Sequence, residues 1–327
     1  MSKRPYVYVT RKMPAKMINI LESVAEVGMW ESEETPVPRE ILLEEANKAD
    51  GLFTVLADQI DEELFQAAPN LKVVANLAVG FDNIDVQAAT KRGIAVCNTP
   101  DILTDTTADL AFSLVLMVGR RLAEAVECVK TGNWTSWSPF FMAGADVHHK
   151  TIGIVGMGSI GEAVAKRALG FQMNVIYHNR NRKIETEKAL DVSYRSFEDL
   201  VVESDYIVCL TPLTDATKGM FSKEVFRKMK NTAYFINASR GTVVVEEDLV
   251  EALREGEIAG AGLDVFHQEP IDPNHPLLQF PNVVALPHIG SASVETRGAM
   301  IVHCCENIAA VLKGETPVSL VNKEIKC

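Results

Sequence analysis

Short apolar runs alternate with amphipathic stretches along nearly the whole chain. In the first hundred residues, segments 6–9, 51–55, 71–75 and 94–97 have the composition of buried strands. Helical patterning near 15–24, 38–48, 61–68 and 84–91 separates them. Strands alternating with helices at this spacing predict a parallel sheet with helices on both faces. Segment 103–130 then keeps a helical period with no interior proline, which predicts one long helix, and 132–144 (GNWTSWSPFFMAG) reads as a loop. The alternation restarts beyond it. Strands are expected at 151–155, 174–178, 206–210, 234–237, 260–265 and 283–286, and helices at 159–169, 246–254 and 293–312. Two α/β units joined by a long helix predict a cleft between domains, where small-molecule sites tend to lie.

Composition narrows the function. A chain of 327 residues suits two domains of ordinary size. With 47% hydrophobic and 23% charged residues it has the balance of a folded globular protein. The formal charge of −12 argues against a nucleic-acid partner, because a phosphate-binding surface needs positive potential. Cys97, Cys128, Cys209, Cys304, Cys305 and Cys327 form no C-x-x-C pair and show no zinc-like spacing with histidine, so no metal is expected. The opening MSKRPYVYVT lacks the apolar stretch of a signal peptide, and reduced thiols in a cytoplasmic protein are expected. The longest apolar run, 110–119, is shorter than the roughly 18 residues a bilayer requires.

The sharpest local signal is TIGIVGMGSIG at 151–161. Gly156, Gly158 and Gly161 form G-x-G-x-x-G directly after a strand and at the start of a helix, with Met157, Ser159 and Ile160 between them. The first glycine permits a tight turn, the second lets backbone N–H groups approach a pyrophosphate, and the third allows close packing of helix on strand. A site for NAD usually carries an Asp or Glu about 20 residues after the first glycine, to bind the ribose hydroxyls. Here the next strand is followed by Asn179, Arg180, Asn181, Arg182 and Lys183, with no carboxylate. Guanidinium groups suit a 2′-phosphate. NADP(H) is therefore the expected cofactor, with NAD(H) as the alternative and Arg180 as the chief determinant. Arg182 and Lys183 are expected to add weaker contributions.

Three further segments each place a reactive side chain at a strand end: FINASRG (235–241) with Arg240, GLDVFHQEP (262–270) with Asp264 and Glu269, and VALPHIG (284–290) with His288. Strand ends of this kind face the ligand crevice in open α/β sheets. Taken singly, a histidine after a strand, a Glu-Pro turn and an Arg-Gly loop are ordinary structure. Together, in a chain with a dinucleotide turn, they are the set needed to reduce a 2-oxo acid. Arg binds the carboxylate, His⁺ donates a proton to the carbonyl oxygen, and Glu holds the imidazole in its charged form.

These residues carry a resemblance. Through VGMGSIG (155–161), LTPLT (210–214), INASRG (236–241), GLDVFHQEP (262–270) and LPHIGSAS (286–293), the chain resembles the D-2-hydroxyacid dehydrogenase family from end to end. It is most similar to the glyoxylate/hydroxypyruvate reductase group, which includes 2-ketogluconate reductases (gluconate 2-dehydrogenases). The resemblance implies an α/β fold of two doubly wound parallel-sheet domains. A flavodoxin-like substrate-binding domain is expected at 1–100 and 291–327, and a Rossmann-type dinucleotide-binding domain with a dimerisation helix and loop at 101–290. It also implies catalytic Arg240, Glu269 and His288, with Val79 and Gly80 offering backbone N–H groups to the substrate carboxylate. Thr107 and Asp264 are expected near the nicotinamide, and His288 and Gly290 among the cofactor contacts. Thr211, Pro212, Asn237 and Ala238 are expected to line the cofactor cleft, and a homodimer is implied. Formate dehydrogenases of a related branch use Gln where this chain has Glu269, which argues against that activity. Some relatives of the family act as cofactor-sensing transcriptional corepressors on the same fold. The acidic charge of this chain argues against that role.

Overall fold

The computed structural model of the protein describes residues 4–325. The first three residues of the opening segment and Cys327 lie outside the described residues. The chain divides into two compact units. One runs to Leu103 and resumes at Ala292, and the other spans Thr104–Ser291.

The first unit holds β1 (Tyr6–Val9), α1 (Ala15–Val24), β2 (Glu26–Met29), α2 (Arg39–Lys48), β3 (Gly51–Thr54), α3 (Glu62–Ala67), β4 (Val73–Asn76), α4 (Val86–Lys91) and β5 (Ala95–Cys97). The second holds α5 (Thr104–Gly119), α6 (Leu122–Lys130), β6 (Thr151–Val155), α7 (Ser159–Gly170), β7 (Asn174–His178), α8 (Ile184–Leu190), β8 (Ser193–Tyr194), α9 (Phe197–Glu203), β9 (Tyr206–Cys209), α10 (Lys223–Lys228), β10 (Tyr234–Asn237), α11 (Glu246–Glu255), β11 (Gly260–Leu263) and β12 (Val283–Ala285). Helix α12 (Val294–Leu312) returns to the first unit.

The first unit is a five-stranded parallel sheet in the order β2-β1-β3-β4-β5, the flavodoxin-like arrangement. Side chains along a strand point alternately to its two faces. Val7 and Val9 of β1 therefore meet Ile18 and Leu21 of α1 and Ile301 and Ile308 of α12, while Tyr8 between them meets Leu42 and Ala46 of α2. Edge strand β2 carries no sequence signal of its own, because EVGM is short, only partly buried and has no clear alternation. Asp61, Asp85 and Ser293 cap α3, α4 and α12 by accepting a backbone N–H three residues on.

The second unit is a seven-stranded parallel sheet ordered β12-β11-β10-β9-β6-β7-β8. Counted within the unit, its first six strands lie in the Rossmann order 3-2-1-4-5-6, and the order reverses between β6 and β9. Helices α5 and α7 cover one face, and α9, α10 and α11 the other. Its strands are short apolar runs buried on both sides, as parallel strands must be.

The single long helix expected over 103–130 is two helices. Gly119 has no side chain because a Cβ there would sit 2.5 Å from the Tyr206 hydroxyl, and its carbonyl accepts the N–H of Ala145 at 2.7 Å. Arg121 then turns left-handed at φ 53° before α6 begins. A hydrophobic period survives such a break, so the pattern alone does not reveal it. Helices α8, α9 and α10, of 6 or 7 residues each, were also too short to show a period. Segment 132–144 is a loop that leaves Trp134, Trp137, Phe140 and Phe141 exposed. Cys97, Cys128, Cys209, Cys304 and Cys305 are all buried. Among the described residues no helix is long and apolar enough to cross a membrane.

Candidate active site

At the reversal of the second sheet, β6 runs directly into the glycine turn. Gly156 has φ 107°, and a Cβ on it would lie 2.7 Å from the carbonyl carbon of Leu210, so only glycine fits. A Cβ on Gly161 would come within 2.4 Å of the Gly156 oxygen, which is the close helix–strand approach expected there. Gly158, the N-cap of α7, has no side-chain cap, and open space surrounds it. A helix start left open in this way offers N–H groups and positive dipole to an anion. These residues fit a dinucleotide pyrophosphate.

Asn179, just past β7, clamps the turn. Its Oδ1 accepts the Met157 N–H at 2.8 Å, and its Nδ2 donates to the Met157 carbonyl at 3.3 Å. Arg180 is exposed and has no ion-pair partner among the described residues. Arg182 and Lys183, expected to add a weaker, screened contribution if solvent-exposed, both keep side chains open to solvent, and each sits in an ion pair. Arg182 makes a two-pronged pair with Glu187, both contacts at 2.7 Å, and stacks 5.8 Å from the Tyr194 ring centre. Hydrogen bonds from Arg182 and from the Tyr177 hydroxyl hold the Glu187 carboxyl down to about 2. Lys183 Nζ pairs with Glu162 at 3.0 Å. Thr211 and Pro212 follow β9, with the Pro212 carbonyl tied to the Thr217 hydroxyl at 2.7 Å.

The three reactive side chains follow neighbouring strands of the same sheet. After β10, Asn237 accepts from the Ser239 N–H and hydroxyl at 3.1 and 2.8 Å and donates to the Arg240 carbonyl at 3.0 Å. The N–H of Ala238 returns to the Cys209 carbonyl at 3.3 Å. Arg240, half-buried, donates from Nη1 to the Ser239 carbonyl at 2.8 Å. Gly241 lets this turn press on the next strand's loop, since a Cβ there would fall 1.9 Å from the carbonyl carbon of Phe266.

Beyond β11, buried Asp264 accepts the N–H groups of Ile289 and Gly290, each at 2.8 Å, and so pins the loop after β12. Burial pushes the Asp264 carboxyl up, against the pull of those N–H groups and of the His288 charge. Glu269 Oε1 accepts the Phe266 N–H at 2.9 Å, and Oε2 lies 2.7 Å from His288 Nδ1. His288 itself sits at φ 52°, a left-handed conformation that costs a non-glycine residue about 1–3 kcal/mol. The bonds of Ile289 and Gly290 to Asp264, and its own to Glu269, hold it there. With Nδ1 committed to Glu269, Nε2 is the nitrogen left to face a ligand.

Burial opposes the charge on Glu269. Even so, the hydrogen bond and charge of His288, the Phe266 N–H and the Arg240 charge together hold its carboxyl below the usual range. Among the described residues no third imidazole, carboxylate or thiol joins the pair to make a metal-holding group. Thr107, buried on α5, lies beside Gly290, where a Cβ would be 3.3 Å from its Cγ2 and 3.2 Å from Asp264 Oδ2. The structure therefore gathers Thr107, Asp264, Glu269, His288 and Gly290 in one place. Charge coupling ties Arg240 to Glu269. Val79 and Gly80 lie after β4 in the first unit, where their carbonyls are held by Asn98 and Asn76, two residues the sequence did not single out.

A dinucleotide turn at the switch point of a parallel sheet, with an Arg and a Glu–His pair at its strand ends, defines a nicotinamide-dependent oxidoreductase. The family model for the D-isomer specific 2-hydroxyacid dehydrogenase NAD binding domain matches residues 112–290, and the chain belongs to that family. A glyoxylate reductase of Thermococcus kodakarensis is 49% identical over 326 residues, 98% of this chain and 97% of that protein. A solved structure from Thermus thermophilus superposes with a TM-score of 0.91 at 42% identity, covering 97% of this chain and 99% of that one. An NADPH-dependent glyoxylate/hydroxypyruvate reductase from Sinorhizobium meliloti, solved with NADP and malonate, gives 0.87 at 32% identity, covering 99% and 98%.

Proposed function

We propose that this chain reduces glyoxylate and related small 2-oxo acids, hydroxypyruvate and 2-ketogluconate among them, to D-2-hydroxy acids, with NADPH preferred over NADH. The observation that carries the reading is the Glu269–His288 pair at 2.7 Å, which fixes one imidazole nitrogen and leaves the other for a substrate carbonyl. His288 Nε2–H donates the proton to the carbonyl oxygen as the alcohol forms. The Glu269 carboxylate stabilises the charged imidazole beforehand. Arg240 binds the substrate carboxylate by its planar guanidinium, and the backbone N–H groups of Val79 and Gly80 are the donors the first unit offers to a carboxylate. When bound, a reduced nicotinamide supplies the hydride. Gly156, Met157, Gly158, Ser159, Ile160 and Gly161 would hold its pyrophosphate. Thr107, Thr211, Pro212, Asn237, Ala238, Asp264 and Gly290 would line the rest.

Two observations support the finer parts. Arg180 is the cation after β7 left outside any ion pair among the described residues, which favours a 2′-phosphate. The exposed aromatics of 132–144, with Trp137 at 79% and Phe140 at 87% exposure, and Leu122, Val126 and Val129 on α6 are large apolar side chains left in solvent. They favour a homodimer built around α5, α6 and that loop, with a two-fold axis. Light scattering at micromolar concentration is expected to give a dimer, and a monomer would overturn that part. Initial rates with glyoxylate, hydroxypyruvate, 2-ketogluconate and pyruvate, each with NADPH and NADH, test the whole. The expected result is fast reduction of the first two with NADPH, and no turnover with any of the four would contradict it.

A further inference from the structure

After β4 the chain makes a short loop in which three consecutive carbonyls are engaged and the N–H groups between them are not. The Ala78 carbonyl accepts the Thr99 N–H at 2.8 Å. That of Val79 accepts Asn98 Nδ2 at 2.8 Å, and that of Gly80 accepts Asn76 Nδ2 at 3.0 Å. The N–H groups of Val79 and Gly80 have no partner among the described residues, although both residues are half-buried. In a trans peptide the C=O and N–H point to opposite sides. Holding the Ala78 oxygen therefore aims the Val79 N–H away from Thr99, and holding the Val79 oxygen aims the Gly80 N–H away from Asn98. Two adjacent N–H groups fixed in this way make a concavity for an anion. Half-buried N–H groups seldom go without an acceptor in a folded protein.

The props are themselves propped. The Asn98 carbonyl accepts the Ser319 hydroxyl at 2.6 Å, and Ser319 Oγ in turn accepts Asn307 Nδ2 at 2.8 Å and lies 2.8 Å from His303 Nε2. Asn76 is fully buried and braced by the Thr54 hydroxyl at 3.1 Å and by Asn83 Oδ1 at 3.0 Å. The Asn98 main chain and the Asn76 amide are thereby held in place, which is what a positioning role requires.

We propose that Asn98 and Asn76 are positioning residues that hold the Val79–Gly80 backbone as an anion-binding pair. That the anion is a 2-oxo acid carboxylate rests on the function proposed above. Asn98 is the residue to test, because changing fully buried Asn76 also breaks the bonds to Thr54 and Asn83. The probe is oxalate, a small dicarboxylate that cannot be reduced, titrated by calorimetry into the protein with and without NADPH.

Asn98→Ala is expected to raise the oxalate Kd and the glyoxylate KM by about tenfold, with kcat much less affected. Asn98→Asp keeps the shape but turns an oxygen toward the Val79 carbonyl, and is expected to lose more. NADPH affinity and the thermal midpoint should stay near wild type in at least one of the two variants. Unchanged oxalate affinity and KM in both variants would overturn the proposal. So would a loss that tracks equal losses of NADPH affinity and thermal stability in both, which marks a merely structural residue. Failure of wild-type protein to bind oxalate at all would also overturn it. If wild type binds oxalate through Asn98 but reduces no 2-oxo acid, the proposed function fails while the anion pair stands.

Discussion

Each unit presents backbone N–H groups at the C-terminal end of a parallel strand, and the two solve the same problem by different means. After β6 the solution is local. Gly156 makes the turn, and α7 follows within three residues with its N-terminus uncapped. After β4 nine residues separate the strand from α4, so the helix does not follow Val79 and Gly80 directly. Their orientation comes instead from side chains far along the chain, Asn98 and, behind it, Ser319 and α12. The difference suits two kinds of anion. A pyrophosphate is large and the same in every turnover, and a helix dipole with several N–H groups holds it. A small carboxylate needs two donors at one fixed angle, and rigid amide props can set that angle.

The largest expected effect falls outside both cradles. His288→Ala removes the proton donor, and kcat/KM should fall by at least about 10²-fold in steady-state assays while NADPH affinity falls much less. A loss of NADPH affinity as large as that of kcat/KM would mean that the chemistry is not separable from the cradles. Next comes Gly156→Val, which forces a side chain into φ 107° and against Leu210. Strain of about 1–3 kcal/mol predicts a loss of NADPH affinity of roughly tenfold or more. Oxalate affinity measured without cofactor should be unchanged, and an equal loss of both would erase the distinction between the two sites.

Arg180→Ala sharpens the cofactor side. A charge-assisted bond to phosphate is worth roughly 1.5–3 kcal/mol, so the KM for NADPH should rise about tenfold or more while that for NADH barely moves. Equal effects on both cofactors would reduce Arg180 to a solvated surface residue. Glu269→Gln should have the smallest effect at neutral pH. Glu269 is held below the usual carboxylate range, so in wild type the ionised pair persists as pH falls and is lost only when pH drops through that lowered value. The variant has no carboxylate to titrate. Its reduction rate should therefore lack the fall that wild type shows as pH drops through that lowered value, and superimposable pH–rate profiles on the acid side would contradict the pairing.

The same contrast decides what the sequence revealed. The cradle after β6 is written in consecutive residues, and G-x-G-x-x-G between an apolar run and an amphipathic one made both its place and its fold legible. Arg240, Glu269 and His288 were legible because each follows a strand with its neighbours in motif order. The Glu269–His288 contact joins residues 19 apart through geometry alone. Asn98 left no signal, since an asparagine after a strand is ordinary and its partner Val79 is named only by the fold. The break between α5 and α6 was hidden for a related reason. It depends on Tyr206 and Ala145 meeting Gly119, while the apolar period runs on across it. The ion pairs that occupy Arg182 and Lys183 were equally out of reach. A run of basic residues shows its charge but not which carboxylates already hold it.

The most direct measurement is chiral analysis of the glycerate formed when the wild-type protein reduces hydroxypyruvate with NADPH. Hydride delivery in the second unit, with His288 as proton donor and the carboxylate held by Arg240, is expected to give D-glycerate in the sense of the family. Formation of L-glycerate, or no consumption of NADPH, would contradict it.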